Sequence, residues 1–143
     1  MSKSDTFEND VLKLYLNATT IANIANDATS SPLTNVYVAL HTADPGEAGT
    51  QSTNEIAYTS YARATVARSS AGWTVSGNSA TNAASVGFPQ CTGGSATATH
   101  FSIGVASSGA SKILYSGALT ASLAISNLIT PSFAIGQLTV TED

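Results

Sequence analysis

His41 and His100 are the side chains of this chain that titrate nearest neutrality, so each is a candidate general base or metal ligand. A metal set needs further donors. No cysteine stands near either histidine and Asp44 is the nearest carboxylate to His41, so no recognisable donor set forms and neither metal nor cofactor is expected. Serines are abundant, but none lies in a G-x-S-x-G elbow and none shares a known order with a histidine and an aspartate. No catalytic residue is expected.

The remaining candidates also lack a chemical partner. Asp44, Glu47 and Glu55 gather around DPGEAGTQSTNE, but the full calcium-loop pattern is missing and the stretch reads as an exposed acidic turn. Cys91 in PQCTGGS has no Lys or Arg beside it to favour a thiolate, which makes it a packed or loop thiol. Gly93, Gly94 and Gly109 lead into no helix carrying a lysine, so they are hairpin turns and not phosphate cradles. Asn17-Ala18-Thr19 matches a glycosylation triplet, but on a helix without a secretory signal it reads as chance. Arg63 and Arg68, near Tyr58 and Tyr61, suit either a carboxylate inside the fold or a partner's surface. Trp73 reads as a core filler at a strand start, with an interface anchor as the alternative.

The elements that must position these residues begin with one helix. Phe7, Val11, Leu14, Ala18, Ile21 and Ala25 recur at steps of four and three, which predicts an amphipathic helix within residues 1–26. Asp5 is the expected N-cap, with Glu8 three residues later completing a capping box. Leu12, Tyr15 and Leu16 widen the apolar face, so the helix should pack on something flat, either its own sheet or a neighbouring subunit. The linker 27–35 is rich in turn formers and includes Pro32.

Beyond the linker the period changes to two. Val36, Val38 and Leu40 alternate with Tyr37, Ala39 and His41 as in a half-buried strand, and Asp44-Pro45-Gly46 ends it. Further strands are expected at 56–68, 73–76, 83–88, 97–105, 113–118, 123–126 and 133–141. About eight strands after one helix predict a mainly β chain, a jelly-roll-like antiparallel β-sandwich over 36–143. At 143 residues, 1–143 is expected to be a single domain.

Composition narrows the function. With 5 Lys+Arg against 9 Asp+Glu, a net charge of -4 and no basic run, nucleic-acid binding is not expected. No apolar stretch is long enough for a membrane span or signal core, so a product kept in the cytoplasm of the cell that makes it is expected. A surface with only 10% charged residues has few like-charge contacts to hold another protein away, which favours assembly.

The stretch from FENDVLKLYLN through VYVALHTADPG and YARATVAR to GWTVSGN, followed by FPQCTGG, THFSIG, LYSGAL and LTVTED, resembles a family of small virion proteins encoded by tailed bacteriophages and prophages. The likeness runs from Phe7 to Asp143, and VYVALHTADPG, YARATVAR and LYSGAL in that order are its most specific pieces. Members are often labelled tail-fibre proteins, while their size and β character are similar to those of capsid decoration, or cement, proteins. The resemblance implies a non-enzymatic structural part of a virion, made in the cytoplasm of a bacterial host, and brings no catalytic residues with it.

The favoured expectation is a decoration protein on the capsid exterior, clamping subunits of the major capsid protein as a homo-oligomer, a dimer or trimer. A tail-fibre or baseplate component is the alternative, with tail proteins as partners. A carbohydrate-binding module is a third reading, disfavoured by a single Trp and five Tyr. Phe7, Leu12, Leu16, Tyr61, Arg63 and Arg68 are the expected contact residues, and removing residues 1–25 is expected to weaken assembly more than it disturbs the β core.

Overall fold

A computed structural model describes residues 4–21, 24 and 32–142. Among the described residues one helix, α1 (Asp5–Asn17), precedes nine strands: β1 (Asn35–His41), β2 (Ala64–Ala67), β3 (Trp73–Ser76), β4 (Ser79–Asn82), β5 (Val86–Gly87), β6 (Ser95–Gly104), β7 (Ile113–Ser126), β8 (Ser132–Phe133) and β9 (Thr139–Thr141). They form antiparallel sheets of four strands (β2-β1-β6-β7) and three strands (β3-β4-β9), and β5 pairs with β8. The chain is mainly β with one N-terminal helix, as the change of period at the linker predicts. It divides into two compact units, the first built from Met1–Asn35, Val66–Val86 and Phe133–Asp143, the second from Val36–Thr65 and Gly87–Ser132.

In the first unit the helix starts one residue earlier than its sequence suggests. Ser4, in extended backbone, is the N-cap and its hydroxyl accepts from the Phe7 N–H, so Glu8 stands one position too late to complete a capping box. The helix also stops early. Ala18 adopts a left-handed conformation (φ 52°) and the Thr19 N–H closes on the Lys13 carbonyl at 3.0 Å, just before the β-branched pair Thr19 and Thr20. Ala25, the end of the expected stripe, lies outside the described residues.

The buried face of α1 is Glu8, Val11, Leu12 and Leu16, whereas Phe7 and Tyr15 are exposed. The inward face is thus turned by about one residue step, ~100°, from the expected stripe. It packs on β3 and β4, and the Asn9 amide donates to the Gly77 carbonyl at 2.8 Å, tying the helix to the turn between those strands. Beneath it the sheet alternates as a half-buried sheet should: Trp73, Ala80, Asn82 and Val140 are buried, while Thr74, Thr139 and Thr141 face water. Because Leu12 and Leu16 belong to this core, removing the helix strips one face of the sheet. The expected separation of arm from core does not hold.

Asn82 explains a strand that hydrophobic pattern alone misses. Its side chain accepts from the Leu138 N–H at 2.8 Å and donates to the carbonyls of Ala84 and Ala134 at 2.7 and 2.9 Å. A buried amide thereby joins β4 to the segment leading into β9, and every polar atom on it is used.

In the second unit β1 pairs with β6 (Val38↔Ile103, Leu40↔Phe101) and β6 with β7 (Phe101↔Gly117). Ala39 and His41 are buried along with Val36, Val38 and Leu40. The half-buried alternation expected of β1 gives way where the segment 42–63 returns along its end, with the Ile56 N–H donating to Leu40 O and the Thr42 N–H to Asn54 O, and brings the Thr53 carbonyl within 2.8 Å of His41 Nδ1. The strand expected at 56–68 shrinks to Ala64–Ala67, and the pieces expected at 113–118 and 123–126 are one strand.

Candidate functional site

The segment 42–63 carries few large apolar side chains, so polar contacts must hold it. Arg63 supplies most of them. Its Nε and Nη2 donate to the two carboxylate oxygens of Glu55 at 2.7 and 2.8 Å, a bidentate pair. Nη1 reaches the Ala106 carbonyl at 2.9 Å, Ser111 Oγ at 3.0 Å and Gln51 Oε1 at 3.3 Å, and Nη2 also reaches the Gly109 carbonyl at 2.8 Å. One guanidinium thus binds two stretches of chain, 51–55 and 106–111. It is buried and fully occupied, so of the two roles its sequence allows, the structure adopts pairing within the fold.

Gln51 extends the network. Its Oε1 also accepts from Ser111 Oγ at 2.8 Å, and its Nε2 donates to the Tyr37 carbonyl at 2.9 Å and to Ser102 Oγ at 3.3 Å. Gly104 makes room for this amide, because a Cβ there would stand 2.2 Å from the Gln51 side chain. Tyr61 closes the other end: its hydroxyl donates to Glu55 Oε1 at 3.0 Å and accepts from the Leu40 N–H at 3.1 Å. Burial, and next the neighbouring carboxylate, push its pKa up, so it remains a phenol throughout the ordinary pH range. Its ring meets Tyr58 edge-on at 5.3 Å and stacks with Phe88 at 6.4 Å.

His41 has the outward signs of a catalytic base. Its Nε2 lies 2.8 Å from Ser102 Oγ and its Nδ1 lies 2.8 Å from the Thr53 carbonyl. Since a carbonyl only accepts, Nδ1 carries the proton and Nε2 accepts from the serine hydroxyl. This is the geometry of a nucleophile and its base, with a neutral carbonyl where a carboxylate would orient the ring. Both residues, however, are 0% exposed, so no substrate reaches the serine. Burial lowers the His41 pKa, outweighing the opposite pull of the Thr53 carbonyl and Glu55, and keeps the ring neutral. His100 lies directly across the strand pair from His41 and its Nδ1 contacts Thr99 Oγ1 at 2.9 Å. Among the described residues no three His, Cys, Asp or Glu side chains come together as a metal site.

The acidic segment does not act as one group. Glu55 turns inward to Arg63, whereas Asp44 accepts from the Gly46 N–H at 2.9 Å and shapes the turn. Cys91 is buried, its thiol directed at the Gly93 carbonyl at 3.3 Å. Arg68 serves the first unit: it donates to the last-turn carbonyls of Leu14 and Tyr15, both at 2.7 Å, and to Leu33 O at 2.9 Å. A cation placed there meets the negative end of the helix dipole.

Of the six expected contact residues, Leu12 and Leu16 are 0% exposed and Arg63 is buried, so these three are turned inward. Hydrophobicity and a planar charge are equally what a core or a buried ion pair selects, and packing took them. Tyr61 and Arg68 are half-buried and bonded as described, and Phe7 is exposed.

The apolar groups that do reach the surface include several the sequence reading passes over. Leu128 is 70% exposed, at a φ of 71° that a bulky residue rarely adopts, and Ile129 beside it is 41% exposed. The turn that bears them is fastened to the segment 90–91: Leu128 N–H donates to Cys91 O, Cys91 N–H to Ile129 O, both at 2.8 Å, and the Gln90 amide to Leu128 O at 3.0 Å. Leu128 is thus held outward in left-handed backbone by a turn fastened with three hydrogen bonds.

The chain is mainly β, its His41–Ser102 pair is closed to solvent, and an apolar turn stands at its surface. The family model of the podophage GP4 fiber I protein gp80 matches residues 2–141, and the chain belongs to that family of phage virion proteins. None of the curated proteins compared with it matches. Among the described residues no helix is long and apolar enough to cross a membrane.

Proposed function

We propose that the protein is a non-catalytic fibre subunit of a phage virion, joined to other virion proteins through neutral, partly apolar surface. The observation that carries this reading is the match to a fibre protein's family over residues 2–141. It favours the fibre over decoration of the capsid, the location preferred from sequence; both rest on the same mechanism, in which binding only the assembled partner stabilises it by mass action. The closed His41–Ser102 pair supports a role without chemistry. Leu128 and Ile129 are the proposed contact, and tail proteins, together with further copies of this chain, are the proposed partners.

Electron cryomicroscopy of purified virions tests the location. Density for this fold in fibres at the tail is the expected result, and density at capsomer junctions over the head would move the protein to the capsid. Leu128→Asp should leave the isolated protein folded and lower its copy number per virion.

A further inference from the structure

The four-stranded sheet ends in two very different edges. β2, at one end, is four residues long; β7, at the other, has fourteen. An edge strand of that length, ~46 Å at 3.3 Å per residue, presents a row of backbone donors and acceptors that another chain can pair with. Proteins usually blunt such an edge with lysine or proline. β7, ILYSGALTASLAIS, contains neither and no other charged residue. The nearest charges sit at its first residues only: from Ser69 to Thr141 the one Asp, Glu, Lys or Arg is Lys112, just before the strand, and Glu47 lines the same hollow as residues 112–116. Among the described residues no strand pairs with its outer side.

What β7 does have is irregularity. On β6, Ala98 and His100 are separated by Thr99 alone, yet their partners on β7 are Leu123 and Ala118, so Leu119, Thr120, Ala121 and Ser122 stand opposite one residue. A second slip occurs where Ile103 and Gly104, adjacent on β6, face Tyr115 and Ile113, leaving Leu114 extra. Both insertions fall on the edge strand. They break its ladder into runs of at most four residues, 115–118 and 123–126, as short as β2 at the opposite edge.

We propose that the wide bulge at Leu119–Ser122 is a built-in block to sheet extension, replacing the charges the strand itself lacks and keeping β7 from templating further copies of the chain. The block lets a neutral surface serve ordered contacts without running on into open-ended β stacking.

Deleting Thr120, Ala121 and Ser122 tests this in the full chain, because Thr99 then faces Leu119 alone and the ladder from Ala118 to Leu123 becomes continuous. Sedimentation velocity over a range of concentrations is the readout. The unaltered protein should give a distribution that stays constant with concentration, and the deletion variant one that shifts to ever larger, thioflavin-binding species. Adding Ala118→Lys and Ala124→Lys to the deletion, at two exposed positions, should restore the original distribution. A deletion variant that stays as disperse as the parent overturns the proposal. So does one whose growth the lysines fail to reverse, since misfolding and not edge pairing would then drive it.

Discussion

The helix of the first unit and the returning segment 42–63 of the second both lie against a sheet, but they are held by opposite means. α1 is fixed by apolar area, with Leu12 and Leu16 fully buried in the core that includes Trp73 and Ala80. The segment 42–63 is fixed by a polar network in which Arg63, Glu55, Gln51, Ser111, Ser102 and His41 satisfy one another. The difference teaches how each fails. An apolar contact loses stability in proportion to what is removed, while a closed polar network loses more, because each deletion strands a buried partner.

The sharpest test removes Glu55. Its carboxylate is the counter-ion of a guanidinium whose side chain is 2% exposed, so Glu55→Ala should cost about 3–5 kcal/mol in urea unfolding. A loss below about 1 kcal/mol would mean that the carbonyls of Ala106 and Gly109 hold the charge unaided. Next comes Leu16→Ala, with an expected cost of about 3 kcal/mol that does not vary with pH. A cost that changed between acid and neutral solution would erase the contrast between the two regions.

The smallest effect is a pH dependence confined to the network. Unfolded His41 takes up a proton near its ordinary value of 6.5, whereas the folded ring, its pKa lowered chiefly by burial, takes one up only at lower pH. Between those two values the unfolded chain binds more protons, so stability should fall as the pH drops below about 6.5 and level off below the folded pKa. Above 6.5 this residue contributes no slope. Comparing unfolding curves of the parent and His41→Gln checks it: the variant should lose that part of the acid sensitivity.

The two regions were also unequally legible in sequence. A helix near the N-terminus follows from apolar residues at steps of three and four, because that signal is local; which side turns inward depends on Leu12 and Leu16 meeting a sheet made from residues about sixty positions further on. β1, β3 and β6 are visible for the same local reason. β4, Ser79–Asn82, is not, since SATN has no apolar alternation and its one decisive residue is a buried asparagine. At 56–63 the pattern misleads. Ile56, Tyr58 and Tyr61 look like strand residues, but the tyrosines reach Pro89 and Glu55 with their hydroxyls. The network itself joins Arg63 to Ala106 and Ser111, a proximity set by register and invisible to spacing. The pairing of His41 with His100 is likewise set by the β1–β6 register.

The way the chain divides also sets how far each unit must reach along the chain to complete itself. The first unit joins Met1–Asn35 and Val66–Val86 to Phe133–Asp143, so β9 comes to β4 as Thr141 pairs with Ser79 and the Leu138 N–H reaches Asn82 across 56 positions. Pairings of that separation form slowly, because the loop between the partners must close before the contact rewards it. Until β9 docks, β4 keeps an open edge, and it is in that interval that the chain is most exposed to wrong pairings.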